Sequence, residues 1–229
     1  MARIEVRKRR IDQSEELEVE SCYQKEKIVK TDIVLAGVGG QGILSVATIL
    51  GVAALREGLN IKQAEVHGMS QRGGDVQSNL RISSEEIASD LIPSGRADLI
   101  VSLEPMEALR YLPSLSPNGW IVMSSVPFVN IPNYPAMEDI EQELEYAGNV
   151  ICFDMEAMAK EIASPRSSNM VLLGAASPFI EIDADKIEDA IKGVFGSKGD
   201  AIVESNIKAF RAGREKTLSS RNKKTLITQ

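Results

Sequence analysis

The stretch TDIVLAGVGGQGILSVATILGVAALREG, residues 31–58, joins a short apolar run, a glycine-rich turn and a long apolar segment. The run at residues 33–36 is typical of a buried strand, and residues 41–56 carry apolar side chains at helical spacing. Glu57 and Gly58 predict the end of that helix. A strand, a glycine turn and a helix in this order predict an α/β protein with a Rossmann-like start.

Strand and helix patterns continue to alternate along the chain. Residues 61–66 predict a second strand that completes a β-α-β unit with a right-handed crossover and a parallel strand pair. Residues 76–82 alternate apolar and polar side chains, which predicts a half-exposed strand at a sheet edge. Apolar runs predict further strands at residues 98–102, 120–124 and 150–153. From residue 169 onward the spacing is helical, so we expect a three-layer α/β/α fold with a mainly parallel sheet and a helical C-terminal part.

The two ends of the chain differ from this central body. Residues 1–30 hold a basic block, an acidic block and then lysines, which predicts a charged N-terminal extension or arm. Residues 31–213 are expected to form one α/β domain, because a chain of this length buries a single substantial core. Residues 214–229 are basic and polar, and we expect a solvated tail.

The composition excludes several classes of protein. Of the 229 residues 43% are hydrophobic and 26% are charged, which is usual for a soluble globular protein. No apolar run approaches the roughly 18 residues of a membrane span, and the first twenty residues lack the apolar core of a secretory signal. A net charge of -7 with few aromatic residues offers no surface for nucleic acid. We therefore expect a cytoplasmic protein with neither a membrane nor a nucleic-acid partner.

Cysteine and histidine are too scarce for most metal chemistry. Cys22 and Cys152 are the only cysteines, whereas an iron-sulfur cluster normally needs four thiolates. His67 is the single histidine, so no multi-histidine metal site can form. No nucleophile or second base is recognisable beside His67. We therefore predict neither catalytic nor metal-ligating residues in this chain.

Two loops contain the candidate binding residues. The first, residues 37–42, matches G-x-G-x-x-G between a strand and a helix, where free backbone amides suit an anion. The second, residues 67–74, leaves the second strand at its carboxyl end, where open α/β sheets bind ligands. Arg72 offers this second loop a guanidinium group for a phosphate or carboxylate. The candidate residues, which we expect to lie side by side, are Gly37, Gly39, Gly40, Gln41, Gly42, His67, Met69, Ser70, Arg72, Gly73 and Gly74.

Each loop also has a purely structural explanation. The glycines of residues 37–42 can serve only to pack the first helix against the first strand. Arg72 can pair with a carboxylate in a glycine-permitted turn, and for His67 a structural hydrogen-bonding role is favoured. Dinucleotide binding requires an acidic residue about twenty positions after the glycines, and Glu65 meets this only loosely.

The segments DIVLAGVGGQGILSVATILGVAALREG (32–58) and AEVHGMSQRGGDVQSNLRIS (64–83) together resemble the γ subunit or domain of 2-oxoacid:ferredoxin oxidoreductases. The similarity continues through ADLIVSLEPMEALRYLPSLSPNGWIVMSS (97–125), NMVLLGAAS (169–177) and NIKAFRAG (206–213), so it covers about residues 31–213. The form H-G-M-x-Q-R-G-G of the second loop resembles the indolepyruvate branch. Pyruvate and 2-oxoglutarate members tend to carry G-P-E-x-R-G-G there.

The resemblance implies a subunit of a complex that decarboxylates a 2-oxoacid, with an aryl pyruvate favoured, to an acyl-CoA. The complex would use thiamine diphosphate, Mg²⁺, coenzyme A and [4Fe-4S] clusters, and would pass electrons to ferredoxin. This chain would bind no cofactor alone, since the G-D-G…N-N thiamine pattern is absent and Gly74-Asp75-Val76 has no suitable Asn pair.

Its expected partner is the thiamine- and cluster-binding subunit, against which the two loops would wall the active site. Coenzyme A contact and a homodimer of the isolated chain stay open, and ferredoxin would be an indirect partner. Two alternatives remain at this point: a stand-alone NAD(P)- or flavin-binding enzyme, and an α/β interaction module without a ligand.

Overall fold

A computed structural model describes residues 28–67, 73–129 and 131–227 of the chain, with the side chains of His67, Glu145 and residues 222–227 left out. Nearly all of the segment predicted as an N-terminal arm, and the end of the predicted tail after Ile227, lie outside the described residues. The description covers the whole predicted α/β body except residues 68–72 and Asn130.

The described strands form one six-stranded sheet in the order β2-β3-β1-β4-β5-β6. The strands are β1 (Lys30–Val38), β2 (Asn60–His67), β3 (Asp75–Ser83), β4 (Ala97–Ser102), β5 (Leu115–Ser124) and β6 (Val150–Phe153). Strands β1, β4, β5 and β6 run parallel to one another. This confirms the predicted mainly parallel sheet.

Seven α-helices connect or follow the strands in the described part of the chain. They are α1 (Ile43–Arg56), α2 (Pro105–Arg110), α3 (Met137–Ala147), α4 (Met155–Ile162), α5 (Ser168–Ala176), α6 (Ala184–Phe195) and α7 (Asp200–Ile227). Helix α1 ends at Arg56 and Gly58 adopts a left-handed φ of 72°, so the predicted helix stop is confirmed.

Strand β3 lies between β1 and β2, and it is antiparallel to both. The prediction that β1 and β2 form a parallel pair is therefore wrong, as is the prediction that residues 76–82 lie at the sheet edge. The physical reason is that β3 follows β2 after a short loop, so the two strands pair as a hairpin. That hairpin joins β1 through β3, which leaves β2 as the edge strand.

Helices cover both faces of the sheet, which makes three layers as predicted. On one face Ile33 and Leu35 of β1 pack in a large cluster with helices α1 and α4–α7. On the other face Val34 of β1 packs in a smaller cluster with α2 and α3. This alternation follows from the two-residue period of a strand.

Helices α5 and α7 pack with their backbones in close contact. An ideal Cβ atom at Gly174 would lie 1.8 Å from the carbonyl oxygen of Phe210, and one at Gly213 would lie 2.0 Å from that of Val171. Only glycine permits so close an approach. Helix α7 then continues through Gly213 to Ile227, so the described part of the predicted basic tail is helical, and Thr217 within it is fully buried.

Candidate functional site

The carboxyl ends of the four parallel strands lie at one edge of the sheet, called here the carboxyl edge. Ligands of open α/β sheets bind outside this edge. The glycine loop, residues 39–42, directly follows β1 there and leads into α1. Leu103 and Glu104 follow β4, and residues 125–136 follow β5. The fold thus places the loops after β1, β4 and β5 at the same edge.

The glycine loop is shaped by backbone angles and by close packing. Gly40 and Gly42 have φ values of 105° and 80°, a left-handed region that favours glycine. A Cβ atom at Gly42 would lie 2.6 Å from Nδ2 of Asn169, and one at Gly37 would lie 2.8 Å from Cγ1 of Ile43. The conformation and packing of the loop therefore explain why glycine occupies positions 37, 40 and 42, independently of any ligand.

The side chain of Gln41 turns inward and links two loops of the carboxyl edge. Its Oε1 accepts a hydrogen bond from the backbone N–H of Val38 at 2.8 Å. Its Nε2 donates to the carbonyl oxygen of Leu103 at 3.3 Å. Because both ends of the amide are used, Gln41 fixes the glycine loop relative to the loop after β4.

The structure brings the two predicted loops together through their backbones. The N–H of Gly39 donates to the carbonyl oxygen of Gly74 at 2.8 Å, and the N–H of Gly73 donates to that of Gly39 at 3.4 Å. The backbone of His67 ends β2 opposite Val76 of β3. The predicted site residues Met69, Ser70 and Arg72 lie outside the described residues, so their roles stay predictions.

Glu104 is a buried carboxylate at this edge that is not among the predicted site residues. The residue is 1% exposed. Its Oε2 accepts the N–H of Glu107 at 2.7 Å, and its Oε1 accepts the N–H of Phe128 at 3.3 Å and the hydroxyl of Tyr134. An acidic residue two positions after a buried parallel strand is the sequence feature that marks this position.

The phenol of Tyr134 has a raised pKa. Partial burial disfavours the phenolate, and the hydrogen bond to the Glu104 carboxylate stabilises the protonated form further. The pKa of a tyrosine in the unfolded chain is about 10. Because the pKa of Tyr134 is higher in the folded state, its protonated form stabilises the fold at pH values below about 10, and this stabilisation is lost as the pH rises through the folded-state pKa. The contact between Tyr134 and Glu104 is therefore intact at neutral pH.

We expect Tyr134 to remain protonated at a pH of about 11, where an ordinary tyrosine is mostly ionised. Absorbance at 295 nm during an alkaline titration measures phenolate formation. Tyr134→Phe should remove a phenol that ionises late. The control Tyr146→Phe, at a residue that is 78% exposed, should leave that late-ionising phenol in place. Loss of an early-ionising phenol in Tyr134→Phe would contradict the burial of this hydroxyl.

A separate cavity of about 320 Å³ lies at the β6 edge of the sheet. Residues Val150–Phe153 of β6 form one side of it, and Trp120, Lys216, Ser220 and Arg221 line the rest. The guanidinium of Arg221 lies 5.0 Å from the ring centre of Phe179 and 5.5 Å from that of Trp120. Strands β4 and β5 separate this cavity from β1, so it does not belong to the glycine-loop site.

Two further properties concern the described residues alone. Within residues 28–67, 73–129 and 131–227, no three His, Cys, Asp or Glu side chains come together as a metal site would require. In the same part of the chain, no helix is long and apolar enough to cross a membrane.

Comparison with known proteins identifies the family. The family model for pyruvate ferredoxin/flavodoxin oxidoreductase matches residues 32–216. The indolepyruvate oxidoreductase subunit IorB of Pyrococcus horikoshii is 37% identical over 192 residues, which cover 80% of this chain and 93% of that protein.

Two solved structures share the fold. A crystal structure of the γ subunit of a keto/oxoacid ferredoxin oxidoreductase from Geobacter sulfurreducens has a TM-score of 0.60 at 26% identity, covering 82% of this chain and 99% of that one. The 2-oxoglutarate:ferredoxin oxidoreductase of Magnetococcus marinus, with 2-oxoglutarate, coenzyme A and succinyl-CoA bound, has a TM-score of 0.67 at 26% identity. The match covers 85% of this chain but only 32% of that longer chain. The chain therefore belongs to the pyruvate ferredoxin/flavodoxin oxidoreductase family and is a small subunit similar to those of complexes that act on 2-oxoacids.

Proposed function

We propose that the chain is a non-catalytic subunit of an indolepyruvate-type 2-oxoacid:ferredoxin oxidoreductase. The complex converts a 2-oxoacid and coenzyme A to acyl-CoA and CO₂, and two electrons pass singly to ferredoxin. The observation that carries the proposal is the hydrogen-bonded pairing of Gly39 with Gly73 and Gly74 at the carboxyl edge. It supports one composite surface made of both loops, in a chain 37% identical to an indolepyruvate oxidoreductase subunit.

The residues of this chain do not fit the redox cofactors of such a complex. Two cysteines in 229 residues cannot supply the four thiolates of a [4Fe-4S] cluster. The chain also lacks the G-D-G…N-N pattern for thiamine diphosphate. We therefore assign these groups, and the redox chemistry, to the partner subunit.

The two loops do fit an anionic group. Helix α1 follows its N-cap Gly42, which makes no side-chain cap hydrogen bond, so the first amides at the positive end of the helix dipole are not used by a capping side chain. A guanidinium at Arg72 would add a bidentate donor to a carboxylate or phosphate. We propose that this surface orients the acid or coenzyme A and excludes water beside the partner's reacting centre.

The runner-up function, a stand-alone NAD(P)- or flavin-binding enzyme, fits the topology less well. In a dinucleotide-binding fold, the acidic ribose ligand ends a strand that is parallel and adjacent to the first. Here β3 lies between β2 and β1. Glu65 on β2 is therefore two strand spacings from β1, and each spacing is about 4.8 Å. The side chain of Glu65 also accepts a hydrogen bond from Gln63 at 2.6 Å.

The proposal is tested by comparing the complex with and without this chain in a 2-oxoacid-dependent assay that reduces ferredoxin or a viologen dye. We expect turnover of indolepyruvate only when the chain is present. The isolated chain should be colourless and inactive. Oxidation of a substrate by the isolated chain, or full activity of a complex that lacks it, would overturn the proposal.

Within that assay we expect Arg72→Ala to lower kcat/KM at least about tenfold, a loss of about 1.4 kcal/mol in transition-state stabilisation. The thermal midpoint of the chain should change little, because a loop arginine contributes little to the core. Arg96→Ala is the matched control, since Arg96 is exposed just before β4 at the opposite edge of the sheet. Equal kinetics for the Arg72 and Arg96 variants would remove Arg72 from the site.

A further inference from the structure

Strand β6 leaves one edge of the sheet open in the described part of the chain. It stands at the end of the strand order, and among the described strands it pairs with β5 alone. Proteins commonly cover or charge such an edge, because its free N–H and C=O groups can pair with another extended segment. Strand β6 therefore offers backbone groups on which an extended segment can form a further strand.

Two cavities that share a residue lead from the beginning of the described chain to this edge. Lys30 and Thr31 line a cavity of about 310 Å³ together with Trp120 and Phe179. Trp120 also lines the cavity of about 320 Å³ beside β6. A segment that precedes Lys30 and follows the two cavities therefore arrives at β6.

The two faces of β6 differ in charge. Ile151 packs in the larger core cluster, on the face that α7 covers, and Lys216 and Arg221 of α7 line the cavity there. Cys152 lies on the other face, since side chains alternate along a strand. Partial burial and the carboxylate of Glu141 on α3 raise the pKa of the Cys152 thiol to about 11. One face of this edge is thus basic, and the other lies beside an acidic helix.

One stretch of the N-terminal arm has a pattern that complements both faces. Acidic and apolar residues alternate within residues 14–22, SEELEVESC, at Glu16, Leu17, Glu18, Val19 and Glu20. In an extended segment the three acidic side chains share one face and the two apolar ones share the other. The other alternating stretch of the arm, residues 4–6, lies beside arginines, which the basic face of β6 would repel.

The arm is long enough to reach β6. The strand register places Val150 of β6 level with Val34 of β1, three strand spacings away. With about 4.8 Å per spacing and about 3.3 Å per residue, Lys30 lies about 20 Å from Val150. The eight residues from Cys22 to Lys30 span about 26 Å when extended. Because the arm arrives at the amino end of β6, residues 14–22 would run antiparallel to it.

We propose that residues 14–22 add an antiparallel strand to β6 of the same chain. The acidic side chains of this segment then face Lys216 and Arg221, and its apolar side chains lie on the face of Cys152. The added strand covers the free edge, which keeps β6 from pairing with other chains. The inference does not depend on the proposed function, because it concerns an edge of the sheet that the glycine loop does not reach.

Disulfide formation with Cys152 tests the pairing, because residues opposite each other in an antiparallel ladder have side chains on the same face. Cys22→Ser leaves Cys152 as the single cysteine of the full-length chain. In this background one cysteine at a time replaces residue 17, 18, 19 or 20, and the chain is treated with diamide at about pH 9, where a thiol of raised pKa still reacts.

We expect a disulfide within one chain at position 17 or 19. The faster of these two should react at least about fivefold faster than positions 18 and 20, since a disulfide requires Cβ atoms that point toward each other. Mass spectrometry of unreduced peptides measures the rates. Equal rates at odd and even positions, or no disulfide at any of the four, would overturn the strand pairing.

A charge reversal tests the basic face separately. Lys216→Glu, at an exposed residue of the cavity, should slow the faster odd-position variant about threefold or more, and adding Glu18→Lys should restore its rate. Lys208→Glu is the matched control, since Lys208 is also exposed on α7 but does not line the cavity. It should leave the rate unchanged. Equal rates for the Lys216 and Lys208 variants would remove the contact between the segment and α7.

The gel pattern identifies which chain supplies the strand. Disulfides between two chains, seen as dimers on a non-reducing gel, would assign the segment to a second copy and overturn the pairing within one chain. None of these measurements uses turnover of a 2-oxoacid. Failure of this inference would therefore leave the proposed function in place, and failure of the proposed function would leave the pairing in place.

Discussion

Gly174→Ala is expected to lower the free energy of unfolding by about 3 kcal/mol or more, because its Cβ atom has no space. The added carbon would lie 1.8 Å from the carbonyl oxygen of Phe210 and 2.7 Å from the carbonyl carbon. These are backbone atoms of α7, which cannot rotate away as a side chain does. Helices α5 and α7 must therefore separate, which loosens the core around the fully buried ring of Phe210. Guanidinium unfolding followed by far-UV circular dichroism measures the loss.

Two further glycines make this result specific. Gly213→Ala should destabilise the chain to a similar extent, since its Cβ atom would lie 2.0 Å from the carbonyl oxygen of Val171. Gly196→Ala is the control, because no atom lies within 4 Å of a Cβ there and its φ is -54°. We expect this substitution to raise the free energy of unfolding by no more than about 1 kcal/mol. Equal unfolding midpoints for the Gly174 and Gly196 variants would contradict the close contact of the two helices.

The central architecture could be predicted because its determinants are local. The apolar run of residues 33–36, the glycine turn and the following helix are short-range patterns, and each appears where it was predicted. The placement of β3 could not be predicted in the same way. Alternation at residues 76–82 identifies a strand, but periodicity does not say which strand it pairs with.

The candidate site was predictable only in part, for a related reason. Glycines beside a strand and an arginine are visible as motifs, so both loops were predicted as a site. The structure places Gly39 beside Gly73 and Gly74, and the binding role of the loops stays a prediction. Glu104 was missed because an acidic residue before a proline is fully explained as a helix start. Its link to Tyr134 spans thirty positions of sequence. No local pattern contains a contact of that range.

A buried ion pair accounts for the position of β3, and removing one partner should be costly. Asp32 of β1, which is 1% exposed, lies directly opposite Arg81 of β3. Nε of Arg81 lies 2.7 Å from Oδ1 of Asp32, and Nη2 donates to Oδ2 at 3.1 Å. The same guanidinium donates to the carbonyl oxygens of Ser89 and Leu91. A shift of β3 by one residue would separate these charges, so the pair specifies the register that brings Gly74 to Gly39.

Arg81→Met should therefore lower the free energy of unfolding by about 3–5 kcal/mol, because among the described residues it leaves the buried carboxylate paired only with the half-exposed Lys30. The double variant Asp32→Leu with Arg81→Met should be more stable than Arg81→Met alone, since no buried charge is then left unpaired. Lys192→Met, at an exposed ion pair with Asp189, should change stability by less than about 1 kcal/mol. Urea unfolding of the wild type, the single variants Asp32→Leu and Arg81→Met, and the double variant gives the coupling energy. Additive losses in the double variant would show that Arg81 contributes through its carbonyl contacts and its packing, and that the ion pair does not determine where β3 lies.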